Sequence, residues 1–486
     1  MKRARPVRWV GPALSLCLVA CSLAPPLKTP QVRTAPAYKE QGPWTQAQPA
    51  DRIARDSWWT LYDSSELNGL EQRLVANNPT LAAALANYSQ ARALGDQARA
   101  GLFPTLGLSA GVERDRDSLN APIRGPTTPT YYDSNTIAGS IGYELDLWGR
   151  IRNEVAAGEA NAAASAADLE NARLSLIAQL VDDYIQLRSS DRDIAILRQA
   201  VTAYTRALGL TEQRHDAGIA PGLDVSQAQT QLDLARSQQS QALAQRALME
   251  HAIAVLLGVS ASTFSIKPEL IDIPLPRIPT GLPTDLLQRR PDIAAAQRRM
   301  MAANANIGVA RAAYFPSLTL GGSGGFQGND LADWLTAPSS FWAVGPNVLF
   351  SVFDGGLRKA QVAQARAEFD ASAASYRGVV VSAFQQVEDS LATLHHYHDA
   401  AVDETSAVAA AQRSLDLSMA LYLKGATDYL TVVTSQTSSL QAQLDALNLD
   451  TLQLRASVAL IRALGGGWEE SSGTRTVQNI APMTHR

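Results

Sequence analysis

From Leu357 to Lys424 the chain runs 68 residues with no proline and one interior glycine, Gly378. Proline removes a backbone donor and collides with the preceding turn, and glycine weakens a helix interior. Their near absence predicts a single helix, about 100 Å long at the usual rise per residue. Within it Phe369, Tyr376, Ala383, Ser390 and Tyr397 recur every seven residues, beside Val380, Val387 and Leu394. The same step links Leu180, Leu187, Ile194, Val201 and Leu208, and again Val433, Leu440, Leu447, Leu454 and Ile461. A sustained seven-residue step keeps one seam facing a partner helix, which is coiled-coil geometry. Helices of this length suit a rod or the wall of a tube. An elongated spacer without a channel would show the same periodicity.

The two halves of the chain echo each other. The stretch from Ala93 to Gly111 is similar to Ala303–Gly325, with Phe103-Pro104 matching Phe315-Pro316. Arg152 falls against Arg358, Gly218 against Gly425, and Gln229-Thr230 against Gln436-Thr437. The order of the matched features is kept, so the chain reads as two units of about 200 residues, far longer than ordinary solenoid repeats. Each unit runs helix, two short strands, very long helix, glycine-containing turn, helix.

The strands carry a different period. Leu106, Leu108, Ala110 and Val112 alternate with Thr105, Gly107, Ser109 and Gly111. Ile137, Ile141, Tyr143, Leu145 and Leu147 alternate with small or polar residues, as do Val344, Val348, Phe350 and Val352. Such alternation gives a sheet with one apolar and one polar face. Segments of ~9–11 residues match tilted strands that cross a bilayer. Phe103, Trp148, Trp334, Phe341 and Trp342 cluster near their ends, as aromatic girdles do. Pro104 and Pro316 begin two of them, where a missing N–H costs least. A soluble sandwich remains the alternative. Four strands per chain cannot close a membrane barrel, whose smallest common form has about 8. Open edges in lipid leave unpaired backbone groups, so several copies would have to share one barrel.

The N-terminus supplies a compartment. Lys2, Arg3, Arg5 and Arg8 precede an apolar run that ends in Leu18-Val19-Ala20-Cys21-Ser22. This is the layout of a secretory signal. It resembles a bacterial lipoprotein signal, which implies that Cys21 becomes the new N-terminus and carries diacylglycerol and palmitate. With Ser22 rather than Asp after the cysteine, the resemblance implies the outer membrane. The only other cysteine, Cys17, leaves with the signal, so no disulfide forms within the mature chain. No run of 18 apolar residues follows the signal, so no transmembrane helix is expected. A net charge of −4 gives no basic field for nucleic acid.

Taken with Trp58–Leu81, Tyr143–Asn153 and Phe353–Arg358, these features resemble the TolC-type outer-membrane efflux ducts, in their lipidated branch. The likeness covers nearly the whole mature chain. It implies a mostly α fold with a transmembrane β part: a trimeric twelve-stranded barrel continued by a long α-helical coiled-coil barrel. It also implies a homotrimer in outer-membrane lipid, a periplasmic adaptor, an inner-membrane RND-type pump, and passive conduction of small molecules. A lipid-anchored spacer or adaptor without a pore is the rival reading. The expected division is 1–20 signal, 21–60 extended anchored segment, 61–272 first repeat, 273–467 second repeat and 468–486 polar tail. Within the first repeat, strands are expected at about 104–114 and 136–147 and helices at about 150–214 and 223–257. Within the second, helices are expected at about 284–313, 357–424 and 428–464, and strands at about 316–326 and 343–353.

The resemblance places a periplasmic gate at the helix-hairpin tips, near 214–224 and 422–434. It assigns Asp224 and Tyr422 to a link between neighbouring coils; Asp224 is equally placed to cap a helix, and Tyr422 to pack. Many relatives carry aspartates at the positions of Thr431 and Thr434, and this chain has neither. Asp428, about one turn away, either replaces that ring or caps the last helix. His395, His396 and His398 form a short tract that reads as solvated helix surface rather than a metal centre. No nucleophile elbow, phosphate loop or acid–base cluster is present in the sequence, so neither an enzyme nor a cofactor is expected.

Overall fold

The computed structural model describes residues 22–31, 37–40, 57–120, 125, 127, 129–276, 278, 290–330 and 332–466. Cys21, the expected signal, the 468–486 tail and the expected helix start at 284 lie outside them. The described elements are α1 (Ser65–Asn77), α2 (Pro79–Ala100), β1 (Thr105–Arg116), β2 (Tyr131–Leu145), α3 (Arg150–Asp216) and α4 (Gly222–Leu256). They continue with α5 (Pro291–Ala312), β3 (Ser317–Gly328), β4 (Ser340–Leu349), α6 (Leu357–Leu423) and α7 (Tyr429–Ala463). Lengths recur in pairs: 22 residues in α2 and α5, 12 in β1 and β3, 67 in α3 and α6, and 35 in α4 and α7. Among the described residues no helix is long and apolar enough to cross a membrane.

One compact unit comprises Met1–Pro30, Asn87–Ser165 and Ala296–Tyr376. It holds an antiparallel sheet in the order β1-β2-β3-β4. Each strand reaches further at its end away from the helices than side-chain alternation marks it, while β2 stops at Leu145 rather than 147. β2 begins at Tyr131 because Tyr131–Asn135 pair with Val112–Arg116 through backbone groups that need no apolar side chain. β4 runs from Ser340 to Leu349, short of the expected 353, as the chain turns toward Asp354. Gly325 admits the neighbouring strand: a Cβ there would collide with the Ile137 carbonyl.

Both strand-to-helix corners of this unit are fastened by an aspartate. Asp146 accepts the N–H groups of Ile151 (3.1 Å) and Arg152 (2.9 Å), and the Arg152 side chain at 3.1 Å. Asp354 likewise accepts the N–H of Gly356 at 2.9 Å and of Arg358 at 3.3 Å, and the Arg358 guanidinium. These carboxylates satisfy orphan donors at the helix starts. The helices touch through small residues: Ala157, Ala302 and Ala305 form one cluster, and Gly95 meets Gly158 backbone to backbone. Residues 22–25 lie along α5 and the start of α3. Ser22 donates to Asn153 (2.8 Å), Arg311 to the Leu23 carbonyl (3.1 Å) and Asn304 to the Pro25 carbonyl (2.9 Å).

The second unit comprises Gln31–Ala86, Ala166–Ala295 and Arg377–Arg486. Its core is built from the predicted seven-residue seams. Leu180, Leu187, Val387, Leu394, Leu454 and Ile461 are buried together with Trp58, Tyr62 and Leu67. Each such side chain contributes about 1.5–3 kcal/mol on burial. α3 and α7 run antiparallel, since Arg455 pairs with Asp182, Thr451 with Ser189, and the Gln436 carbonyl with Tyr204. Trp58–Tyr62 closes a 3₁₀ turn, and Ser64 caps α1 by accepting from Leu67 N–H. Asn78 separates α1 from α2: its side chain accepts from Leu81 N–H at 2.9 Å and donates to the Leu256 carbonyl at 2.8 Å.

A buried charge cluster pins the segment after α4. The Arg188 side chain, 1% exposed, pairs with Glu66 and with Asp191 at 2.8 Å, and donates to the Lys267 carbonyl at 2.9 Å. Arg246 reaches Asp191 at 2.6 Å, Glu250 at 2.5 Å and the Ile266 carbonyl at 2.7 Å. Asp191→Ala strips both guanidiniums of their shared partner and is expected to cost about 3–5 kcal/mol, read as a fall in unfolding midpoint. Asp183 is buried nearby on α3. Burial pushes its carboxyl up to about 6, and the neighbouring Asp182 charge adds to the rise. A raised carboxyl favours the folded state only while protonated, so stability falls as pH climbs from about 4 to 6. Asp183→Asn is expected to remove that slope, gaining about 3 kcal/mol at pH 7.5 and nothing below pH 4, measured by denaturation across pH.

Candidate functional site

The register sets which side chains share a sheet face. Leu106 opposes Ile141, which opposes Gly322, which opposes Val344. Ala110, Ile137 and Phe326 make a second row, and Tyr143, Leu320 and Pro346 a third. One face is therefore apolar from the helix end as far as Val112, carrying Leu108, Leu318, Trp342 and Val348 as well, and turns polar beyond it at Arg114, Asp133 and Asn135. Leu106, Leu108 and Trp342 are each about 80% exposed on it. The opposite face carries Thr105, Gly107, Ser109, Thr136, Ser140, Thr319, Ser323, Gln327 and Asn347. A contiguous apolar surface of this size marks a membrane or protein contact. Among the described residues β1 and β4 each have one sheet neighbour, so both edges offer unpaired backbone groups.

Aromatic rings stand at both ends of the apolar band. At the helix end Trp148 stacks on Phe315 at 4.5 Å and donates its indole N–H to the Pro316 carbonyl at 2.8 Å. At the far end Trp334 donates to the Phe326 carbonyl at 3.3 Å, and Arg116 lies 5.6 Å from the Tyr131 ring. Charged residues Glu113 to Asp117 take over beyond Val112. An apolar belt between aromatic rims matches the outer wall of a membrane barrel.

In the second unit, two helix hairpins end in tight turns. Gly218 and Gly425 adopt φ of +71° and +72°, and their N–H groups bond back to His215 and Tyr422 carbonyls at 2.8 and 2.9 Å. Asp224 and Tyr422 meet: the phenol donates to the carboxylate at 3.1 Å, and both are buried. Asp224 is not the helix cap; Pro221 occupies that position, and Asp224 stands in the first turn of α4. The Arg214 guanidinium lies 4.8 Å from the Tyr422 ring, and Tyr429 packs edge-on against it at 5.1 Å. Burial raises the Tyr422 phenol, as does its bond to the Asp224 carboxylate. Burial pushes Tyr429 up to about 12. The phenol thus stays protonated as the donor.

Asp428 caps α7, accepting from Thr431 N–H at 3.0 Å and from its hydroxyl at 2.6 Å. Those two bonds hold its carboxyl below the usual range. The Thr434 hydroxyl bonds the Leu430 carbonyl at 2.9 Å. Thr431 and Thr434 are therefore engaged within their own turn. Arg214 and Tyr429 were not marked by the sequence, because a cation–ring contact depends on how the two hairpins pack. Ile219, Leu223 and Leu430 are more than half exposed at these tips. Cys21 lies outside the described residues.

Tyr422→Phe leaves the buried Asp224 carboxylate without its phenol donor. The expected cost is about 1–3 kcal/mol, seen as faster amide exchange at 214–224 and 422–431. Asp428→Ala is expected to fray the start of α7 alone.

The sequence model described as "outer membrane efflux protein" matches residues 70–259 and again 282–466. A toluene efflux pump outer membrane protein of Pseudomonas putida, TtgC, is 31% identical over 472 residues, covering 96% of this chain and 97% of its own. A pyoverdine export outer membrane protein of Pseudomonas putida, OpmQ, is 33% identical over 471 residues, covering 95% and 98%. The solved outer-membrane channel OprN superposes with a TM-score of 0.85 at 29% identity, covering 92% of this chain and all of that one.

Proposed function

Because this chain belongs to the outer membrane efflux protein family, whose model fits it twice, we propose that three copies complete a twelve-stranded barrel in the outer membrane, continued by a helical tube. The chain is an outer-membrane exit duct of a tripartite efflux pump. The observation that carries the reading is the exposed apolar face of a four-stranded sheet whose two edges are open among the described residues. In hydrocarbon each unpaired edge group costs several kcal/mol. A neighbouring copy removes that cost by pairing β1 with β4. The polar, small-residue face then lines the conduit. The matched lengths of α2 and α5, α3 and α6, and α4 and α7 support an internal two-fold repeat.

Conduction is passive; an inner-membrane RND-type pump supplies the energy, through a periplasmic adaptor. The exposed apolar residues Ile219, Leu223 and Leu430 support the hairpin tips as the adaptor's docking surface. The Tyr422–Asp224 bond supports a closed-state latch, one charge-assisted contact per copy. Asp428, committed to its cap, does not supply a gate ring in this reading. Cys21 carries diacylglycerol and palmitate. What supports this anchor is the docking of residues 22–25 on the unit that bears the sheet. Relatives named for toluene and for pyoverdine export are about equally similar to this chain. Cargo choice is therefore assigned to the pump.

Purified protein in a planar bilayer is expected to give stepwise conductance as a trimer. Leu108→Arg places a charge on the lipid face, costs about 2–4 kcal/mol per copy near the midplane, and is expected to abolish insertion. Ser109→Arg, on the other face, is expected to insert and to change conductance. Insertion without conductance steps would favour a pore-free anchored spacer.

A further inference from the structure

Three of the chain's six histidines fall at 395, 396 and 398, on α6. They are not equivalent. Leu391 and Leu394 bury one side of this turn in the core and so fix its backbone. On the open side, His395 and Asp399 stand one turn apart, with Nε2 and Oδ2 separated by 3.8 Å. The His396 ring lies beside His395, centroids 5.2 Å apart and tilted by 50°. One ligand atom from each of His395, His396 and Asp399 falls within 4.8 Å of the others. The Nδ1 atom of His395 is shielded from solvent and has no hydrogen-bond partner. That nitrogen has no hydrogen bond to lose if the ring turns.

We propose that His395, His396 and Asp399 form a binding site for a divalent transition-metal ion. Bonds of about 2.0–2.2 Å from nitrogen and oxygen set ligand atoms roughly 3–4 Å apart. The His395–Asp399 pair already meets that spacing. The remaining gaps close by side-chain rotation, which the exposure of His396 and Asp399 permits. Two imidazoles and one carboxylate suit Cu²⁺, Ni²⁺ or Zn²⁺; Ca²⁺ and Mg²⁺ require more oxygen ligands. Three protein ligands leave positions open to water, so the ion exchanges with solution. The bound ion ties together one turn of α6 at the edge of the core. Binding to the folded state alone stabilises it by mass action.

The test is calorimetric titration of chelator-treated, full-length protein with Cu²⁺, alongside thermal unfolding with and without the ion. One ion per chain and a raised unfolding midpoint are expected. His395→Ala, His396→Ala and Asp399→Asn are each expected to weaken binding at least tenfold. His398→Ala and His251→Ala are expected to change it less than twofold. Circular dichroism confirms that each variant is folded. Absence of saturable binding in the parent overturns the proposal. So does full binding in His395→Ala or Asp399→Asn, or an equal loss in His398→Ala, which would indicate a diffuse histidine tract. None of these readouts depends on conductance, so a failed duct reading and a failed metal site give different results.

Discussion

A four-stranded sheet with one face rich in Leu, Ile, Val, Phe and Trp and, among the described residues, both edges unpaired is unfinished in water and in lipid alike. Water disfavours the face, and hydrocarbon disfavours the edges. Only further strands answer both. Gly325 lets strands approach closely, aromatic side chains sit at the rims, and small residues cover the face turned from lipid. Every one of these features fits the assembly proposed above.

The helical parts divide their chemistry by need. Where helices meet closely, Ala157, Ala302, Gly95 and Gly158 bring backbones together without bulky interlocking. Where a long irregular segment must be held, Arg188, Asp191 and Arg246 grip its carbonyls from a buried position. At the hairpin tips a phenol, a carboxylate and a guanidinium converge on a few ångströms. These three solutions trade packing area for directionality in increasing degree.

Much of this was legible in the order of residues alone. Seven-residue steps marked the seams because a long helix has no other way to keep one side dry. Alternation marked the strands, but only as far as side chains differ between the faces. The polar start of β2 from Tyr131 to Asn135 pairs through its backbone and left no such signal. Asp224 suited a cap on spacing alone, because it follows Pro221-Gly222. The structure instead starts the helix at Gly222, one residue sooner than expected, and turns the carboxylate toward Tyr422. The Arg188 cluster was unreadable: its members lie as far apart as Glu66 and Lys267. The tilt of His396 toward His395 likewise depends on side-chain rotamers, which spacing on a helix does not specify.

Asp146 and Asp354 each clasp the backbone and an arginine just beyond a strand, and both lie in the unit that bears the sheet. Each bend is thus set by contacts only a few residues apart in sequence. Each corner carries its own fastening within the chain. Backbone fixed this locally has less freedom left to lose in any later association, so less of the contact energy is spent on ordering it.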